Sequence, residues 1–370
     1  MKEKICCVYE TDASQLKGKV KEVIIPENIS QVLEAVKKND KVVARGGGTG
    51  LVGGTVPQDS VVIDLSKLDK IIDFDEKRKK VVVEAGIILE DLNNFLSSYG
   101  LEFPVKPSSW KVCTIGGMIA TDAVGSRAIK YGRTSRWVEW IDVVNDEGRI
   151  ERKGKTELSD FAGLEGITGI ITSVSLKLVE KKERTASLFS FSSIEEVVKK
   201  TKSLKFNQNV SMIEFFDKKT SGLLGLEKNY HLLVEFESEE GDEKGKDYQK
   251  LIEIRDSIYP VLAKNGYVRI EDPKIFLEKL EEFMEILEKE GIPVFGHLSV
   301  GILHHCFSLE KEKKIGEMMN FILKTRGRVS GEHGIGLVKK EFLDLGTKKL
   351  YQAVKKRNDP QNKFNPGKII

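Results

Sequence analysis

From Val20 to Glu180 the chain alternates short apolar runs with brief stretches of helical spacing. VKEVIIP, KVVARGG, SVVIDL, KVVVEAG, EWIDVVN and GIITSVSLKLV are rich in β-branched residues, and helices are predicted from Ser30 and over Leu89 to Leu96. This order predicts an α+β domain rich in strands. A second rhythm starts near Ala186: strand LFSFSS, helix IEEVVKKTKSL, strand SMIEFF, a small helix, then strand HLLVEFES. It predicts an antiparallel sheet backed by helices. Glu239 to Lys246 has no apolar period and reads as an exposed connection. Further on, Phe276, Leu280, Phe283 and Leu287 share one helical face, with Asp272 and Pro273 ahead of them and Gly291 behind. That pattern predicts a helix capped by Asp272, with the proline in its first turn.

A chain of 370 residues exceeds the usual size of one hydrophobic core, so two domains are expected. Lys and Arg total 60 against 57 acidic residues, a net charge of +3, which leaves no electrostatic footprint for nucleic acid. The basic runs Lys77 to Lys80 and Lys181 to Arg184 sit beside acidic residues and read as solvated faces. The start MKEKICCVYETDAS lacks the apolar core of a signal peptide, and no stretch approaches the roughly 20 apolar residues of a membrane span. A cytoplasmic protein is expected, peripheral at a membrane only through a partner. Cys6, Cys7, Cys113 and Cys306 show no metal-ligand or cluster spacing, so reduced thiols are expected.

Between KVVA and SVVIDL lies Arg45-Gly46-Gly47-Gly48-Thr49-Gly50-Leu51-Val52-Gly53-Gly54-Thr55-Val56-Pro57. Glycines at this density let backbone N–H groups turn toward one anion, and a diphosphate suits such a nest. No Gly-Lys-Ser/Thr follows, which removes the Walker reading, and no helix follows at once, which removes the Rossmann reading. A mobile glycine turn is the competing reading.

RGGGTGLVGGTVP resembles the flavin-diphosphate loop of the FAD-linked oxidases related to vanillyl-alcohol oxidase. PSSWKVCTIGGMIATDAVGSRAIKYG (107–132) and GLEGITGIIT (163–172) resemble that family's second and third FAD stretches. YETDAS near the start and DPQNKFNPGKII at the end fit the branch containing glycolate oxidase and the D-lactate and D-2-hydroxyglutarate dehydrogenases. The resemblance implies an α+β fold: a PCMH-type FAD-binding domain of two α+β subdomains (1–182), a C-terminal antiparallel-sheet cap domain (183–355), and a segment returning to the FAD domain (356–370). It implies that Arg45, Gly46, Gly47, Gly48, Thr49, Gly50, Gly53 and Gly54 hold the diphosphate. Pro107, Ser108, Thr114, Gly116, Gly117, Ile171 and Asn365 would pack along the rest of the cofactor. Members that bind flavin covalently commonly carry histidine where Thr49 stands, so non-covalent FAD is expected.

Four of the five histidines fall between Gly296 and Gly334. His297 and His304, seven apart, would face opposite sides of an unbroken strand, and a turn or bulge at Gly301 would let them converge. Each alone also reads as a satisfied structural residue. GHLSVGILH resembles the family's Gly-His-x-Gly-Asp-Gly-Asn-x-His, and SGEHGIG matches its Ser-Gly-Glu-His-Gly-Ile-Gly. The resemblance implies that His297, His304 and Glu332 hold a divalent metal, with zinc first and manganese or iron as alternatives. It makes His333 the base, and Arg255, in LIEIRDSIYPVLAKNG, the grip on the substrate carboxylate. A surface arginine is the other reading of Arg255.

The implied activity is oxidation of a D-2-hydroxy acid to the 2-oxo acid, by metal-assisted deprotonation and hydride transfer to FAD. The electron acceptor would be an iron–sulfur subunit, an electron-transfer flavoprotein or a quinone, and a homodimer is an allowed assembly. Two departures stand out. Asp122 and Val124 replace the family's Asn and a paired Gly, and Ser299-Val300-Gly301-Ile302 replaces Gly-Asp-Gly-Asn. The second would remove polar support from the histidines. It motivates an alternative reading as a noncatalytic FAD-binding subunit of a multi-subunit glycolate or lactate oxidase. A third reading, the related ether-lipid synthase that uses FAD without net oxidation, draws only on the shared cofactor domain.

Overall fold

In the computed structural model, which describes residues 7–370, the branched runs of the N-terminal half become two separate sheets. Lys19–Ile24, Gln58–Asp64 and Val42–Arg45 form a parallel three-stranded sheet with Gln58–Asp64 in the centre. Val42, Val61 and Ile63 pack with Val32 and Val36 of helix Ile29–Lys38, whose first turn is capped by the Asn28 side chain. The other sheet is antiparallel and five-stranded, in the order Ile71–Asp75, Lys80–Glu84, Ile170–Lys177, Val138–Val144, Ile150–Gly154. Val81, Val83, Ile141 and Val174 share its core with Leu89, Leu92 and Leu96 of helix Leu89–Ser97. These are the two α+β subdomains that the resemblance implies.

The chain divides into two compact units. One comprises the residues up to Ala123, Arg133–Lys181 and His333–Ile370, and the other comprises Val124–Gly132 and Lys182–Glu332. His333–Ile370 groups with the first unit, and its end extends the parallel sheet: Val42 N–H donates to Lys363 O and Asn365 N–H to Val42 O. Val124–Gly132 leaves the first unit because Arg127 forks onto the buried Glu235 carboxylate, with contacts of 2.7 and 3.1 Å.

The second unit is built on a six-stranded antiparallel sheet. Its order is Thr185–Phe191, Tyr230–Phe236, Val210–Phe216, Val294–His297, Ile302–Ser308, Tyr267–Glu271. Met212, Phe216, Leu233, Phe295 and Cys306 pack there with Ile258 and Leu262 of helix Ile258–Lys264. Helix Ile194–Leu204 falls on the predicted residues, and Ser193 and Glu196 close a capping box at its start.

The helix expected from Asp272 begins later, at Leu280, after a single 3-10 turn. Asp272 is committed elsewhere. Its carboxylate accepts from the Ser330 hydroxyl and from the N–H groups of Gly331 and Glu332, while Lys274 bridges to Ile302 and Arg328. That tertiary demand holds the Asp272–Phe276 segment extended and leaves Phe276 exposed. Cys113 and Cys306 are free thiols, and Cys6 lies outside the described residues. Among the described residues no helix is long and apolar enough to cross a membrane.

Gly301 sits at φ +75°, and a Cβ there would lie 2.3 Å from the carbonyl oxygen of Ile275. Gly301→Ala should therefore cost on the order of 2 kcal/mol and lower the melting temperature. Gly316→Ala, in helix Lys314–Lys324 with open space around its Cα, should raise it slightly. Equal melting temperatures for the two variants would contradict this account of the turn.

Candidate functional site

The glycine loop leaves the end of strand Val42–Arg45 and packs against the turn that precedes helix Ile115–Ala120. A Cβ on Gly46 would lie 2.2 Å from Thr114 Oγ1, and one on Gly47 would lie 2.1 Å from Val112 O. Neither glycine leaves room for a side chain: Gly46 lies against the Thr114 side chain and Gly47 against the Val112 backbone. Thr114 caps the helix by accepting the Gly117 N–H, and Gly116 N–H donates to Ala85 O. At Gly50, by contrast, a Cβ would meet nothing within 4 Å. The loop is thus closed on the Thr114 side and open at Gly50, as a cradle for a large anionic group would be.

Several residues pin this cradle, and three of them escaped the sequence reading. Asp12, within YETDAS, accepts from Thr55 N–H and from the Ser14 hydroxyl, and Ala13 N–H donates to Gly48 O. Arg45, buried, donates to Thr11 O at 2.8 Å. Asn365 donates to Gly54 O at 2.9 Å and to Glu165 O at 2.6 Å. Lys368 donates to Gly54 O and to Asn365 Oδ1, and burial pulls its amine down to about 7. Ile171 is buried in strand Ile170–Lys177, and Pro107 O accepts from Trp110 N–H in a turn with Ser108 exposed. Asp122, one of the departures, accepts the Ser135 N–H.

Glu165 links the third candidate stretch to the segment after His333. Its carboxylate accepts Ile335 N–H at 2.6 Å and Gly336 N–H at 3.1 Å, and Leu337 N–H donates to Val52 O of the glycine loop. His333 is therefore carried by a loop fastened to the cradle's own unit. Burial raises Glu165 to about 7, more than the two N–H donors and nearby lysines lower it.

In the second unit, Val294–His297 and Ile302–Ser308 form a hairpin through Gly301. The register pairs His297 with Ile302 and Phe295 with His304, which puts both imidazoles on one face. The reset expected at Gly301 is thus a turn. His297 Nε2 and His304 Nε2 lie 3.7 and 3.2 Å from Glu332 Oε1, and one donor atom from each residue falls within 4.8 Å of the others. Glu332 is positioned through its backbone by Asp272. Glu214, opposite His297 on the neighbouring strand, faces His297 Nδ1 at 3.1 Å. Arg255, on helix Gly245–Asp256, is buried with Nε 3.5 Å from Glu214 and Nη1 3.1 Å from Asp256. It is no surface arginine.

The electrostatics fit a cation. Burial opposes a charged His297, but Glu214 and Glu332 on either side prevail and raise it to about 10. Burial likewise opposes an ionised Glu332, and His297 and His304 prevail, holding it well below the usual carboxylate range. Two imidazoles and a carboxylate this close together could hold a divalent ion such as zinc, manganese or iron.

Residues 20–154 match the family model described as the FAD binding domain, and residues 235–369 match that of the FAD linked oxidases, C-terminal domain. The chain is 30% identical to a D-lactate dehydrogenase of Archaeoglobus fulgidus, covering 93% of this chain and 89% of that protein. It is 29% identical to the glycolate oxidase subunit GlcD of Bacillus subtilis (98% and 92%). It is 28% identical to a mitochondrial D-2-hydroxyglutarate dehydrogenase of Arabidopsis thaliana (96% and 76%). A solved alkyldihydroxyacetonephosphate synthase superposes with a TM-score of 0.66 at 18% identity, covering 93% of this chain and 75% of that one, a likeness of fold.

Glu165 yields a pH prediction. With its pKa raised from 4.5 to about 7, the native state keeps a proton that the unfolded state has released between those values. Stability should fall as pH rises through that window, by on the order of 3 kcal/mol. Glu165→Gln stays neutral, so it should flatten the pH dependence of the melting temperature of flavin-free protein between about pH 4.5 and 7. An unchanged slope would remove Glu165 as its source.

Proposed function

The chain belongs to the family of FAD-linked oxidases, and we propose that it oxidises a D-2-hydroxy acid of the D-lactate, glycolate or 2-hydroxyglutarate type to the 2-oxo acid. The observation that carries this reading is the convergence of His297, His304 and Glu332 on one point, in a chain that also holds a glycine cradle fit for FAD. Relatives named for each of the three substrates support the class.

Arg45, Gly46, Gly47, Gly48, Thr49, Gly50, Gly53 and Gly54 hold the diphosphate of non-covalent FAD. Thr114, Gly116, Gly117, Pro107, Ser108, Ile171 and Asn365 line the remainder. His297, His304 and Glu332 hold the divalent ion. When bound, the flavin supplies a two-electron acceptor for the hydride on C2, and the ion supplies the positive charge that makes the 2-hydroxyl acidic. His333 takes the hydroxyl proton, a task suited to an imidazole near neutral pH. Its loop is fastened by Glu165 and by the Leu337 to Val52 hydrogen bond. Arg255 supplies the fixed cation for the substrate carboxylate. The electrons would leave to a partner such as an iron–sulfur subunit, an electron-transfer flavoprotein or a quinone.

The noncatalytic reading rested on Val300 and Ile302. The ligands have carboxylate support from Glu214 and Asp272 instead, which favours a working centre.

Anaerobic titration of metal-replete protein with D-lactate, glycolate and D-2-hydroxyglutarate should bleach the oxidised flavin with at least one of them, and L-lactate should not. A spectrum unchanged by all three substrates would overturn the assignment. Glu332→Gln should keep FAD and lose the metal, and metal still present at full stoichiometry would disprove that ligand. His333→Ala should keep both cofactors and lose flavin reduction; wild-type reduction rates would exclude it as the base.

A further inference from the structure

Glu214 has the profile of a residue kept for a task. It is 0% exposed, in the middle of strand Val210–Phe216, with Ile213 and Phe215 as apolar neighbours. A carboxylate there loses its hydration and must recover the energy from charged partners. One oxygen, Oε2, lies 3.1 Å from His297 Nδ1 and 3.5 Å from Arg255 Nε. The other, Oε1, is buried without a hydrogen-bond partner. So costly an arrangement is poor glue for a sheet, and an apolar residue would serve packing better.

The chemistry of imidazole supplies the reason. A neutral ring binds a cation through one nitrogen and carries its proton on the other. An acceptor at Nδ1 therefore fixes the proton there, aims the Nε2 lone pair toward Glu332, and raises the ring's basicity. The turn between the two histidines provides no substitute, since Val300 and Ile302 lie in an apolar cluster with Val124 and Ala128. Support for His297 comes across the sheet, from the residue directly opposite in the register.

We propose that Glu214 is a positioning residue, which sets the tautomer and orientation of His297 for a divalent cation and holds Arg255 beside it through the same carboxylate oxygen. The proposal rests on the metal-assisted reading above. Asp272 plays the corresponding part for Glu332, acting on the backbone N–H rather than on the ligand side chain.

The test is zinc affinity. FAD-loaded wild-type protein and Glu214→Gln are stripped with a chelator and titrated with Zn2+ against a chelating dye. The dissociation constant should rise roughly tenfold to a hundredfold in the variant. FAD content should match the wild type, and Glu214→Asp, which keeps the charge, should lose zinc affinity too, which a role confined to charge pairing with Arg255 would not produce. If Glu214→Gln does not fold, Glu214→Asp keeps the charge but withdraws it from Nδ1, and the same loss is expected. Wild-type zinc affinity in a folded variant overturns the proposal while leaving the metal centre standing. A wild-type protein that takes up no zinc overturns both.

Discussion

Carboxylates out of water govern this structure, because each must be matched by donors or cations already in place. Glu214, Glu235, Asp272 and Asp359 are all almost wholly buried, and each is answered by groups far away in the chain or one helical turn distant. Glu235 takes Arg127, Ser211 and Tyr248, which holds the Val124–Gly132 excursion against the second sheet. Asp359 takes Lys355 and the N–H groups of Lys363 and Phe364, which shapes the approach to Asn365. The cluster of His297, His304 and Glu332 belongs to the same pattern, a buried carboxylate facing two imidazoles brought from the hairpin.

The two units use one device on either side of the point where the chain passes between them. On the Glu332 side Asp272 gathers the N–H groups of Gly331 and Glu332, and on the His333 side Glu165 gathers those of Ile335 and Gly336. A short glycine-rich segment, SGEHGIG, would otherwise be free to sample many backbone states. Amide hydrogen bonds on both sides of Glu332 and His333 hold that backbone in one course.

What could be read from sequence was local. The glycine loop, the histidine pair, the helix IEEVVKKTKSL and the alternating strands all carry a local signal, and they stand where the pattern put them. Glu214 and Glu165 could not be found that way. A single glutamate in SMIEFF or in GLEG resembles any solvated acid until the partner arrives from 83 or 170 residues away. The Asp272 helix start failed for the same reason: Asp-Pro ahead of an apolar stripe is a good local cap, but Gly331 and Glu332 claimed the carboxylate first. Val124–Gly132 shows the converse, a segment whose motif groups it with one unit and whose Arg127 ties it to the other.

The clasp on Gly54 has a bearing on biosynthesis. Its carbonyl is closed by Asn365 and Lys368, which leave the ribosome 311 and 314 residues after it. An N-terminal half emerging first can pair its strands, yet its cradle stays without this closure until translation has run most of its course. A product stalled or truncated before Asn365 lacks both hydrogen bonds that close the Gly54 carbonyl.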